Sequence, residues 1–327
     1  MLNRRNFVSG SAASLALTLS PQVLGQPAGK TVRIVVPYPA GGGTDVTARL
    51  LADKLRARYA PVIIVDNRVG GGGRVGVDSV KNADADGSLM LFTPDFPLTV
   101  YPHIYKRMSY ELRDFAPVAS CGVASMAIAA GPGLPASVKT IADFVPWCKA
   151  NPKLAAYASP SAGSTAHFAG VMFSRAAGLD LLHVPYKGGA LAVQDLIGSQ
   201  VPVGFIPLGE ILPHLGAGKI RLLATTGPTR SRFTPDVQTL VESGYKNVVV
   251  QSWVGMFVPA ATPANIITRL NAELVQALKA PDVQNTLARF GFEYAVATPS
   301  AAFASLVKAD LDRWGTVVKA SGFTADD

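Results

Sequence analysis

Strand-like and helix-like segments alternate along this chain from Lys30 onward, and the junctions between them are rich in glycine, proline and serine. Residues 31–36 form a β-branched run stopped by Pro37. Residues 45–59 follow with helical period: Val46, Leu50, Leu51, Leu55 and Tyr59 share one face, while Arg49, Asp53 and Arg56 lie elsewhere. Residues 62–65, 89–93 and 118–129 read as strands, 140–150 as a helix and 154–158 as a strand. A helix over 165–177 is closed by Gly178. Strands at 182–184, 201–206 and 221–225 follow with helices between them, and the end is helical, with Ile266, Ile267, Leu270, Leu274 and Leu278 on one face of 264–279. This alternation predicts an α/β architecture with parallel sheets. In such sheets ligands sit beyond the carboxyl ends of the strands, where loops meet helix N-termini. That is where the glycines cluster.

Composition narrows the classes. With 49% hydrophobic and 16% charged residues over 327, the chain can bury enough apolar surface to offset its ordering entropy, which excludes a disordered or fibrous protein. The length suits two domains. Two cysteines are too few for a disulfide scaffold or a cysteine zinc site, and whether Cys121 and Cys148 pair stays open. The formal charge of +8 is carried by scattered cations with no Lys/Arg block, so a nucleic-acid footprint is missing while a small anionic ligand remains open. No motif calls for a cofactor or metal.

The first residues read as an address. Arg4, Arg5 and Phe7 precede a short apolar run over 8–19, and small residues follow near Gly25, as in an export signal spanning 1–25. The apolar run is shorter than the roughly 20 residues a spanning helix needs. The paired arginines match a twin-arginine signal, with an ordinary secretory n-region as the alternative. The expected location is the periplasm, as a soluble protein.

Two junctions carry the chemistry. Residues 37–45 (PYPAGGGTD) link the first strand to the first helix: prolines stiffen the loop, glycines let backbone N–H groups approach a ligand, and the helix start adds partial positive charge. The phosphate-loop ending is absent. The same residues also read as a tight turn capped by Thr44 or Asp45. Residues 158–165 (ASPSAGST) repeat the layout, with His167 in the first helical turn and ordinary capping by Ser164 or Thr165 as the alternative. A third glycine run, 66–74 (DNRVGGGGR), reads as a surface loop. Residues 183–189 (HVPYKGG) end a strand with Tyr186 and Lys187, a pair suited to an acid or to a core tyrosine beside a surface lysine.

Taken jointly, these motifs, together with 239–245 (TLVESGY) and 253–263 (WVGMFVPAATP), resemble the Bug-type extracytoplasmic solute receptors, the substrate-binding proteins of tripartite tricarboxylate transporters. The resemblance runs from about Val32 to the C-terminus. It implies a type II periplasmic-binding-protein-like fold, two α/β domains with a ligand cleft between them, with 26–128 plus 253–327 as domain 1 and 129–252 as domain 2. It implies a carboxylate held, often through bridging waters, by the first glycine loop (Tyr38, Ala40, Gly41, Gly42, Asp45) and by the serine loop (Ser159, Ser161, Gly163, Ser164, Thr165, with His167 after it), and Tyr186 and Lys187 join this candidate set. The chain departs from the family pattern at Pro202 and Pro207, where aspartates are usual, and at Asp95, where small hydroxyls are usual; these departures bear on ligand identity.

Three functions compete: capture of a small organic acid (a di- or tricarboxylate, an aromatic acid or an acidic amino acid) for a membrane permease, by a monomer and without catalysis; a sensing module for a membrane regulator; and a serine hydrolase using Ser159 or Ser161 with His167. The last lacks a Gly-x-Ser-x-Gly elbow and an acid to orient the histidine.

Overall fold

The computed structural model describes residues 31–56, 58–293 and 298–325. The segment read as an export signal lies outside these residues.

The first lobe starts with β1 (Val32–Val36), α1 (Gly43–Arg56) and β2 (Ile63–Asn67), then α2 (Arg74–Lys81), β3 (Leu89–Pro94) and two single turns, α3 (Phe96–Thr99) and α4 (Tyr101–Ile104). The long strand β4 (Phe115–Ala130) leads into α5 (Ile141–Ala150), β5 (Ala156–Ser159), α6 (Thr165–Ala176), β6 (Leu182–Pro185), α7 (Gly189–Ile197), β7 (Val203–Pro207), α8 (Leu208–Leu215) and β8 (Arg221–Thr225). The chain returns through β9 (Gln251–Pro259) and ends in α9 (Ala264–Leu278), α10 (Pro281–Arg289) and α11 (Ser300–Ser321). Among the described residues no helix is long and apolar enough to cross a membrane.

The strands run in the order β2-β1-β3-β9-β4-β7-β5-β6, with β8 also on β4. The expected parallel pairing holds for β1 with β2 and β3, and for β5 with β6 and β7. It fails for β4 and β9, which are antiparallel to each other and to their other neighbours, because these two strands carry the chain from one sheet to the other and back. Residues 115–125 of β4 pair with β9, and 126–130 pair with β7. The partners change between Ser125 and Met126. At that point Thr226 clamps both strands: its hydroxyl accepts from Met126 N–H (2.9 Å) and donates to Val250 C=O (2.5 Å), and its own C=O accepts from Val250 N–H (2.8 Å).

Each sheet is covered on both faces, which is why the strands read as near-continuous apolar runs. On the first sheet α1, α9 and α10 bury Leu51, Leu55, Leu270, Leu274 and Leu287 against Val32, Ile34 and Met256. On its other face Val77, Phe303 and Val307 meet Leu91, Trp253 and Phe257. The second sheet packs α7 and α8 on one face and α5 and α6 on the other. Helix α11 belongs to both lobes. Its first half supplies Phe303 and Val307 to the first core, and its second half supplies Trp314 and Val318 to the core holding Phe168, Phe173 and Phe205. Cys121 and Cys148 lie in different cores as buried free thiols, so they do not pair.

Candidate functional site

Between the lobes lies a cavity of about 700 Å³, within the size range of small-ligand pockets. The junctions singled out in the sequence face it from opposite sides: Tyr38, Gly41 and Gly42 from the first lobe, and Ser161, Ser164 and Thr165 from the second.

The glycine loop is held from behind. Asp45, in the first turn of α1, is turned away from the cavity and accepts the Gly41 N–H at 2.9 Å, Arg49 at 3.0 Å and Asn67 Nδ2 at 2.9 Å. Asn67 also donates to the Tyr38 carbonyl at 3.0 Å. These bonds hold the Asp45 carboxyl below its ordinary range despite its burial. Asp45 therefore positions the loop and does not line the cavity, and the 66–74 motif contributes Asn67 as a prop. Gly41 sits at φ 90°, a conformation that favours glycine. Ala40 is exposed on the outer side of the loop and is not on the wall.

The serine loop is also largely committed to itself. Ser164 caps α6, accepting from the His167 N–H at 3.2 Å and donating to the Ser161 carbonyl at 2.7 Å. Ser161 donates to Ala162 C=O. Thr165 donates to Asp95 Oδ2 across the cleft at 2.9 Å, and Ser252 on β9 donates to Asp95 Oδ1 at 2.5 Å. Asp95, fully buried behind the wall between Pro94 and Phe96, thus ties the first lobe to α6 of the second; burial pushes its carboxyl up to about 7.

Ser159, Gly163, His167, Tyr186 and Lys187 are not on the wall. Gly163, at φ 73°, faces Ile104, and Tyr186 donates to Asp195 Oδ2 of α7 at 2.8 Å. Lys187 is exposed at the end of β6. His167 is buried and stacked on His183, ring centroids 3.9 Å apart, with Nδ1 accepting from Gly163 N–H at 3.1 Å. Burial lowers both rings, His167 to about 3 and His183 to about 4, so both are neutral near pH 7. The serine that meets a histidine is Ser159, 2.7 Å from His183 Nε2. Ser159 Oγ also lies 3.1 Å from the Ser161 carbonyl, so its hydroxyl is shared between that carbonyl and the imidazole. It is also fully buried, and no acid orients His183 among the recorded bonds.

Sequence reasoning missed the rest of the wall. Gly43 and Thr44 extend the α1 start, Ala166 the α6 start, and Gly188, Gly189 and Ala190 bring in the start of α7. Pro207, a departure already marked in the sequence, is the N-cap of α8, Glu210 lies in its first turn, and Phe96, Met126, Val254, Phe290 and Phe292 give the cavity an apolar, ring-lined body. The α7 signal was present in the Gly188–Gly189 pair; Phe290 and Phe292 come from a segment distant in sequence from both junctions and had none. Four helix N-termini thus open on one cavity, each presenting amides that the helix itself leaves unpaired. Among the described residues no lysine, arginine or histidine lines it, so the positive potential they supply comes from helix starts. No group of three or more His, Cys, Asp or Glu among the described residues could hold a metal.

Residues 47–323 match the family model of the tripartite tricarboxylate transporter family receptor. Protein BugT of Bordetella pertussis is 32% identical over 295 residues, 90% of each chain. A Rhodopseudomonas palustris protein, Rpa4515, solved with adipate superposes with a TM-score of 0.80 at 29% identity, over 90% of this chain and 98% of the other. MatC from R. palustris, solved with bound malate, gives a TM-score of 0.76 at 27% identity, over 88% and 98%. With most of its length matched by the family model, and with the two-lobed α/β fold and interlobe cavity of a periplasmic binding protein, this chain belongs to the tripartite tricarboxylate transporter receptor family.

Proposed function

We propose that the protein captures a small carboxylate in the cleft, in the periplasm, and presents it to a membrane permease, binding without catalysis. The observation that carries this is the convergence of four helix starts on one cavity with no cationic side chain in its wall among the described residues. Backbone amides at helix N-termini suit a carboxylate, whose charge is modest and whose two oxygens accept several N–H bonds at once. The relatives solved with adipate and malate support the same ligand class. We place the carboxylate between Gly42, Gly43 and Thr44 of one lobe and Ser164, Thr165 and Ala166 of the other. Ser159 is fully buried off the wall, and Ser161, on the wall, donates to the Ala162 carbonyl with no histidine bonded to it among the described residues, which supports binding over hydrolysis. We further propose a monomer whose lobes follow the division 26–128 plus 253–327 and 129–252, with α11 as a strut between them.

A thermal-shift screen against mono- and dicarboxylates, aromatic acids, amino acids and neutral sugars tests this. A ligand at 100 times its Kd should add about 2.7 kcal/mol of stability. A shift with sugars and with no organic acid sinks the reading.

A further inference from the structure

Among the described residues, the wall of the cavity holds one ionisable side chain besides Tyr38, and it is an acid. Glu210, in the first turn of α8, reaches into the cavity, and no hydrogen bond or ion pair to any described residue is recorded for it. Room for its carboxylate is made by Gly189 at the start of α7. A methyl group on Gly189 would collide with Glu210 Oε2, and Gly189 has no positive φ that would require glycine for backbone reasons. Asp95 adds a second carboxyl just behind the wall, already satisfied by Thr165 and Ser252. Apart from the hydroxyls at the helix starts and on Ser252, the surface is mostly rings and aliphatic groups, Phe96, Phe290, Phe292, Met126 and Val254 among them.

A second carboxylate on the solute would find no cation here and would face Glu210. We propose that the solute carries one carboxylate for the helix starts, an apolar body of ring size, and an ammonium or N–H donor received by Glu210: an amino-carboxylate of aromatic or cyclic type, not a di- or tricarboxylate. The carboxylate end rests on the function proposed above; the amine end rests on Glu210 and the bare Gly189. An unpartnered acid in a walled cavity supports this. Although water still reaches Glu210, the protein around it raises its carboxyl to about 7, a cost that a bound cation relieves. Discrimination follows because a site built around a charged acceptor rejects an analogue lacking the donor, and rejects an anion more strongly.

The test is calorimetry on the purified protein with four probes of one shape: 4-(aminomethyl)benzoate, benzoate, terephthalate and benzylamine. The aminomethyl acid should bind at least about tenfold tighter than benzoate, the factor expected for one hydrogen bond to a charged group, and terephthalate should bind weakest of the three acids. Glu210→Gln should remove the preference for the amine and let terephthalate approach benzoate. Gly189→Ala, which displaces the carboxylate without changing its charge, should lower the preference for the amine as well. Terephthalate binding as tightly as the aminomethyl acid, or a preference unchanged in Glu210→Gln, overturns the inference and leaves the carboxylate reading standing. Benzylamine binding as tightly as the aminomethyl acid overturns the carboxylate reading and leaves the role of Glu210 standing. If none of the three acids binds, both fall.

Discussion

Asp95 shows how one side chain can change what its neighbours are for. In the sequence it stands where small hydroxyls are usual, and Thr165 looks like a ligand donor. In the fold the two are bonded to each other, so the Thr165 hydroxyl serves the acid and its amide is left for a solute. Ser252 donates to Asp95 from β9, Asp310 adds like charge, and the Tyr38 ring, its phenol raised by burial, lies close. With the carboxyl held up to about 7 against an ordinary 3.8, the folded chain keeps this proton over a range where the unfolded chain has lost it. The contribution of Asp95 to stability therefore falls as pH rises from about 4 to about 7 and is level above that, with a slope of about 1.4 kcal/mol per pH unit at most. Asp95→Asn has no such slope. Its stability relative to the parent, from denaturant melts, should rise between pH 5 and pH 8; parallel profiles would show that Asp95 is ionised in the fold throughout. Thr165→Ala should lower overall stability by about 1–3 kcal/mol, because it leaves a buried acceptor short of a donor.

At the scale of elements, the strand–loop–helix units were legible because period and punctuation are local. The helix begins at Thr165 as read, with Ser164 as its cap, and Gly178 follows its end at φ 60°. The run at 221–225 is β8, and Thr140 caps α5 through a reciprocal pair with Asp143. Strand ends slipped where burial overrides propensity: β4 starts at Phe115, earlier than its β-branched core suggests, because its first residues pair with β9. What stayed hidden was contact between distant segments. Asp95 meets Thr165 across 70 residues, His167 stacks on His183, and α8 reaches the cavity only because β7 sits beside β4. The two glycine or serine junctions, each open to a capping or a binding reading, separate by mutation. Ser164→Ala should cost about 1 kcal/mol of stability through loss of the cap. Gly42 has no positive φ, and a Cβ there would meet only the Pro39 carbonyl at 3.9 Å. Gly42→Val should therefore stay within about 0.5 kcal/mol of the parent in stability, as surface changes do, and still weaken binding of benzoate in calorimetry. Full affinity in the Gly42 variant would place the carboxylate elsewhere.

The whole molecule is joined at more places than a pair of hinge strands. Besides β4 and β9, helix α11 is seated in both cores, with Trp314 against Phe168 and Arg175 bonded to the Ala320 carbonyl. In the closure we propose, the pivot lies where the partners of β4 change, near Ser125 and Thr226, with α11 moving as a strut. The lobes touch again along the rim of the cavity beyond α10. Ser231 Oγ donates to Glu293 Oε1 at 2.5 Å, Arg232 pairs with Glu293 Oε2 at 3.2 Å, and Arg232 also donates to the Phe292 carbonyl. Half-exposed pairs of this kind are worth about 1 kcal/mol or less each, so the rim can hold the lobes together yet release them. The tightest point is backbone on backbone: Gly209 of α8 lies against the Phe290 carbonyl and Gly291 N–H, where any Cβ would overlap. No rotamer change relieves that overlap, and the least costly relief is to turn the lobes apart about β4 and β9, with α11 following as the strut between them. Gly209→Ala should thus give a larger radius of gyration by small-angle scattering without ligand, and weaker binding of the same carboxylate, because a solute favours the closed form only by its differential affinity for it. A radius equal to the parent's, with binding intact, would mean that this rim does not part when the cleft opens, and closure would then have to be sought at another boundary.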